Sequence, residues 1–181
     1  MTEWIQAGSE ALRWEHAGKR ICELRAGAGL AARLSFRSAW GSLALGECAA
    51  GSWTFKRVGF FRPYVTVRRE GSEVDEAVLR SEHRVTELRF VDGRRYVWRR
   101  TRARRPETSF VDPSGRAMVT FSPEKRGRAA PASVRLETAV LPPGIAELLA
   151  LVLGYRLVLE QMDEEAAVIA ATAAAISAAA S

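Results

Sequence analysis

The stretch from Gly144 to Met162, GIAELLALVLGYRLVLEQM, constrains this chain more than any other. It is the one long apolar segment, and it comes after a series of short strand-like runs. Its apolar residues lie on every side of a helix, which marks burial all round and not a helix lying on a surface. Pro142 and Pro143 precede it and suit a helix start. Glu147 and Arg156 interrupt the run and leave only Leu148 to Tyr155 free of charge. Each charge at a bilayer centre costs about 2.5–3.5 kcal/mol, so the segment is expected to be a core helix and not a membrane span. A helix with its side chains is about 10–12 Å across. An eight-stranded barrel is filled by its own side chains. A closed barrel of about eleven strands can hold a helix. The number of strands ahead of Gly144 therefore decides the architecture.

Leu12, Trp14 and His16 alternate with charged residues, and Gly18 turns the chain into Arg20–Arg25. Gly27 to Ala32, GAGLAA, mimics a dinucleotide-binding loop, with Glu47 some distance on. That loop needs a helix after it. Here Leu30, Ala32, Leu34 and Phe36 alternate with Ala31, Arg33, Ser35 and Arg37, so the segment is expected to be a hairpin turn and the strand after it. Strand patterns follow at Gly41–Glu47, in GSWTFKRVGF, and at Tyr64–Arg69, Val74–Arg80 and Arg84–Phe90. Asp92-Gly93 is the strongest hairpin signal, and Arg94–Arg102 follows it. Glu107–Val111, Ala117–Ser122 and Ser133–Thr138 complete twelve candidate strands. Asp112-Pro113-Ser114-Gly115 has type I turn chemistry. No helical period precedes Ile145, which argues against a doubly wound α/β fold.

The fold expected is mainly β: an antiparallel closed β-barrel of about twelve strands enclosing a C-terminal hydrophobic helix. Residues 1–162 make one domain with its central helix at 144–162. Residues 163–181 are alanine-rich. Alanine favours helix but has little apolar area to bury, so a helical extension or a disordered tail is expected there.

The net charge of +6 favours anionic partners. Lysine occurs only at Lys19, Lys56 and Lys125, and asparagine is absent, so arginine and alanine carry the excess. This usage fits a GC-rich bacterial genome, in which part of the arginine content reflects coding. Cys22 and Cys48 have no metal-type spacing and are expected to be reduced core residues. The opening MTEWIQAGSEALRW has no apolar signal region, so the compartment expected is the cytoplasm, at most peripheral to a membrane surface.

Three stretches carry a family likeness: GSWTFKRVGF at Gly51–Phe60, Asp92-Gly93-Arg94-Arg95-Tyr96 with Trp98, and Leu148–Leu159 with its Gly154-Tyr155. With twelve strands around a C-terminal apolar helix, the chain resembles the tubby-like superfamily. That superfamily takes in tubby C-terminal domains, the plant LURP-one-related proteins and the phospholipid scramblases, and the likeness is to its small bacterial members. The resemblance implies a barrel whose C-terminal helix is easily mistaken for a membrane span. It also implies binding of phosphoinositide head groups through basic surface residues, none of which aligns to a particular position here. Scramblases have a proposed acidic calcium segment near their last helix. Asp163-Glu164-Glu165 lies at a similar place but lacks alternating oxygen ligands and a turn glycine.

The candidate anion-binding residues are Arg95, Arg99, Arg100 and Arg102, interleaved with Tyr96 and Trp98, and a second group of Lys56 and Arg57 near Arg62, Arg68 and Arg69. On a strand, Arg95 and Arg99 share one face, while Arg94, Tyr96, Trp98 and Arg100 share the other. The cluster is thus split between surface and lumen, where one arginine would reach Glu147. The bland alternative is a solvated face whose arginines discourage edge pairing. No catalytic residue, metal ligand or cofactor is expected: neither His16 nor His83 sits in a metal spacing, and no nucleophile elbow or H-E-x-x-H occurs. The function expected is non-enzymatic binding or scaffolding, with anionic phospholipid head groups or another anionic partner as the target. The alternatives are an enzyme with an unrecognised site, built on His16 or His83 beside a carboxylate, and a nucleic-acid-binding protein, which would lack any docking helix.

Overall fold

The computed structural model of the protein describes residues 4, 11–38, 41–83, 85–125 and 130–179. Among these residues, twelve strands precede one helix. The strands are β1 (Leu12–Gly18), β2 (Ile21–Ala26), β3 (Gly29–Phe36), β4 (Ala44–Cys48), β5 (Gly51–Val58) and β6 (Tyr64–Arg69), then β7 (Asp75–Glu82), β8 (Val85–Phe90), β9 (Arg95–Arg100), β10 (Thr108–Val111), β11 (Ala117–Pro123) and β12 (Ala132–Leu136). Each pairs antiparallel with its neighbour in sequence, and β1 closes on β12 through Leu12 opposite Val134. The result is a closed up-and-down barrel with no free edge. GAGLAA is the β2–β3 hairpin, with Ala26 paired to Gly29. Asp92-Gly93 turns β8 into β9, where Gly93 takes a φ of 92°.

Period-two alternation sends one face of every strand inward. Trp53, Phe55, Val67, Leu79, Leu88, Phe110 and Phe121 are all buried against the lumen. The lumen is occupied by α1 (Ile145–Ala179). Leu148, Leu149, Ala150, Leu151, Val152, Leu153 and Tyr155 are each 0% exposed, so this part of the helix has no solvent-facing side. Large apolar side chains contribute about 1.5–3 kcal/mol each when fully buried, and the helix and the inward strand faces supply that burial to one another. Pro142 and Pro143 stand just outside the helix. Gly144, at a φ of 80°, then turns the chain into it, and its carbonyl accepts from the Leu148 amide.

One contact fixes how deep the helix sits. A Cβ on Gly154 would lie 2.3 Å from the buried Trp14 ring. Only glycine lets the helix backbone rest on that indole. The ring in turn meets Phe121 at 5.4 Å between centroids.

The helix does not stop at Met162. It runs 35 residues, about 52 Å, and from Asp163 onward it stands outside the barrel in solvent. No helix among the described residues is long and apolar enough to cross a membrane.

Candidate functional site

Because every connection joins adjacent antiparallel strands, alternate loops gather at the same end of the barrel. The helix marks the two ends. It begins at the mouth formed by the β4–β5 turn, where a Cβ on Gly144 would lie 2.2 Å from Ala50. It leaves at the mouth where β5 and β9 end. There Arg57 donates to Asp163 at 2.7 Å. Arg100 lies 3.6 Å from Glu160, and Arg156 of the helix reaches the same carboxylate at 3.0 Å. Arg156 also rests 4.6 Å over the Trp98 ring. Burial, reinforced by Arg100, pulls the Arg156 pKa below its ordinary value, against the opposing pull of Glu160. The Tyr155 hydroxyl donates to the Ser42 carbonyl in the β3–β4 loop, and burial pushes its pKa up to about 12.

The predicted anion-binding residues fall into three places. Lys56, Arg95 and Arg99 point outward from the wall. Arg57 and Arg100 point inward at the exit mouth and are held by helix carboxylates, and Arg100 meets Glu160 where Glu147 was expected. Arg102 lies in the exposed β9–β10 loop at the same mouth. The structure therefore brings Arg57, Arg100 and Arg102 to one end and leaves the rest on the sides.

Ion pairing sorts the basic residues more sharply than position along the chain. Around the wall most arginines are matched. Arg25 and Arg33 both bind the buried Glu23, at 2.5 and 2.8 Å. Arg13 pairs with Glu124, Arg68 with Asp75, Arg69 with Glu76, and Arg89 with Glu87. The exit-mouth loops differ. Lys19, Arg37, Arg62, Arg102, Arg104, Arg105 and Lys125 lie in these loops, and none has a carboxylate within ion-pair distance among the described residues. Among the described residues, the Arg20 side chain is held by the Arg37 carbonyl and by no carboxylate. The same mouth carries Phe60 and Phe61 at the tip of the β5–β6 loop, 90% and 94% exposed and packed edge to face. Sequence reasoning missed this collection because it looked for charge within one segment. Tallying charge on alternate loops of the expected barrel would have found it.

Two hollows flank the helix at this mouth. One, of about 370 Å³, lies between the helix and the β1, β11 and β12 wall; the other, of about 550 Å³, lies beside β2 and β3. His16 lines both. Its Nδ1 lies 3.5 Å from the Cys22 sulfur, but burial pushes that thiol up to about 12, so the pair holds a protonated thiol and not a nucleophilic thiolate. His83 occupies the β7–β8 turn at a φ of 45°. Cys22 and Cys48 are both free and buried. Among the described residues no three His, Cys, Asp or Glu side chains group to hold a metal ion. Compared with protein-family models, curated proteins and solved structures, the chain gives no match.

Proposed function

We propose that the protein binds anionic phospholipid surfaces through its helix-exit mouth, as a non-enzymatic, peripherally attached barrel of the tubby-like kind. The observation that carries this reading is the coincidence, at one end, of cations without partners and two fully exposed phenylalanines. A solvated surface gains little from either feature. A membrane interface uses both: each Lys or Arg near an anionic leaflet contributes about 1 kcal/mol, and aromatic rings settle at head-group depth. Adjacent large apolar side chains left this bare commonly mark an interaction site.

The helix supports the same orientation. Residues 166–179 carry no charge, and Val168, Ile169 and Ile176 are more than half exposed. With the exit mouth against a bilayer, Val168 and Ile169 lie within reach of the interface. The tubby-like assignment rests on the barrel-and-helix architecture and on the stretches quoted above. It is an analogy of fold, while the lipid reading rests on the mouth itself.

The test is co-sedimentation with vesicles of neutral phosphatidylcholine, with and without phosphatidylserine, at low and high salt. Binding should require the anionic lipid and fade as added salt shortens the Debye length from about 10 Å at 0.1 M to about 3 Å at 1 M. Arg62→Ala should weaken partitioning about fivefold, the equivalent of about 1 kcal/mol. Phe60→Ser/Phe61→Ser should weaken it at every salt concentration. Equal binding to neutral vesicles, or none to either, would remove the reading.

A further inference from the structure

We propose that the hollow between the helix and the β1, β11 and β12 wall is a binding site for a single anionic amphiphile, an acyl chain ending in a phosphate or carboxylate. The proposal rests on the reading that this mouth meets anionic lipid, and it names the molecule such a surface would supply. The floor is apolar and belongs to the barrel core: Trp14 and Phe121 are 4% and 1% exposed, and Leu157 and Val158 close the helix side. The rim is basic. Arg104, Arg105 and Lys125 stand around the opening without a carboxylate partner among the described residues. The one acidic group on the lining, Glu160, is shared by Arg100 and Arg156, so it does not cancel the rim. A ligand that matches both parts has an apolar body and an anionic end. Two arginines in a row present forked donors suited to a phosphate or carboxylate.

Size sets the chain length. The cavity of about 370 Å³ is at the lower end of small-molecule sites. At about 30 Å³ per group of water size, it holds on the order of a dozen heavy atoms. That suits one short acyl chain and is too small for a two-chain lipid. The site persists because the helix cannot slide inward to fill it: Gly154 already rests on Trp14.

The experiment is calorimetric titration of the full chain with monododecyl phosphate, kept below its micelle threshold and without vesicles. Inorganic phosphate and dodecyl maltoside are titrated as the head and the tail alone. The expected result is one saturable site at least tenfold tighter for dodecyl phosphate than for either control. Arg104→Glu/Arg105→Glu, both exposed and safe for folding, should weaken it at least tenfold. Ala132→Phe or Leu157→Phe, whichever keeps its melting transition, should abolish it while leaving anionic-vesicle sedimentation intact. Inorganic phosphate binding as tightly would mean a bare anion surface. Dodecyl maltoside binding as tightly would mean a merely greasy hollow. Either result, or indifference to the arginine reversal, overturns the proposal. Vesicle binding without dodecyl phosphate binding would sink this site alone. Dodecyl phosphate binding without vesicle binding would sink the docking surface and spare the site.

Discussion

The two mouths of the barrel are built by the same chain from alternate loops, yet the balance of charge on those loops is opposite. At the mouth where the helix begins, the connecting loops carry Glu70, Glu73, Asp92, Asp112 and Glu137, and the first helical turn adds Glu147. Two of these turns satisfy themselves, while no carboxylate–cation pair holds Glu70 or Glu73 among the described residues. The Arg94 side chain and amide hold the Asp92 carboxyl below its ordinary range, and the Ser114 hydroxyl does the same for Asp112, with help from the Arg116 amide. At the mouth where the helix leaves, the acidic residues Glu160 and Asp163 to Glu165 stand on the helix, while the loops around it are basic and Lys19, Arg37, Arg62, Arg102, Arg104, Arg105 and Lys125 lack carboxylate partners among the described residues. The lesson is that pairing, more than net charge, separates a surface that has met its own counter-ions from one still open to a partner. A GC-rich coding bias can raise arginine throughout a chain, but it does not by itself gather unmatched cations on the loops of one mouth while most arginines of the wall are matched, Arg95 and Arg99 being the exceptions there.

The sharpest way to break the comparison is to remove what holds the mouths apart. Leu149→Asp places an unpaired charge at a fully buried position and should cost several kcal/mol, enough to unfold the chain. A soluble variant with an unchanged melting temperature would overturn the threaded helix. Gly154→Ala tests the seat of the helix. In an ordinary mid-helix position this change gains about 0.5–1 kcal/mol. Against the buried Trp14 ring it should instead lose about 1–3 kcal/mol by overpacking, read by denaturant titration.

A smaller effect concerns the matched wall. Burial tends to raise the Glu23 pKa, but hydrogen bonds and charge from Arg33 and Arg25 outweigh it and lower the value overall. A carboxyl depressed in the folded state stabilises at pH values above its unfolded pKa and loses that contribution as pH falls through the folded value. The wild type should therefore lose stability on acidification below the ordinary carboxylate range, and Glu23→Gln should show a flatter acid limb. Parallel acid limbs would mean the triad contributes nothing measurable.

The smallest stability effect belongs to a charge exchange: Arg104→Glu/Arg105→Glu combined with Glu70→Lys/Glu73→Lys. These are surface positions, and each should stay within about 0.5 kcal/mol of neutral. Net charge is preserved, so vesicle binding that survives would mean the mouths are interchangeable. Vesicle binding that falls well below wild type despite the unchanged net charge would fix docking at the helix exit.

Much of this was legible in the residues. Leu148 to Tyr155 is apolar all round and can only be enclosed. Period-two runs supplied the twelve strands that enclose it. The helix beyond Met162 was harder to read. Its alanines give helical propensity without an apolar face, and propagation from a formed helix needs far less than nucleation. The inward turn of Arg57 and Arg100 was ambiguous because an arginine at a strand end can close a lumen as well as face water. The exit mouth was illegible in any one window: its residues are scattered from Lys19 to Lys125 and meet only when the barrel closes.

The helix comes after every strand that encloses it, and this order bears on biosynthesis. β1 must wait for β12 to close the sheet, and both must wait for α1 to fill it. At about 5–20 residues per second, a ribosome leaves the early strands without their core for on the order of ten seconds. Half-apolar strands in that state invite pairing with other chains. The outward arginines of the wall, Arg13, Arg25, Arg33, Arg89, Arg95 and Arg99, put a charge on the outer face of these strands, the kind of residue that blunts such pairing before any mature surface exists.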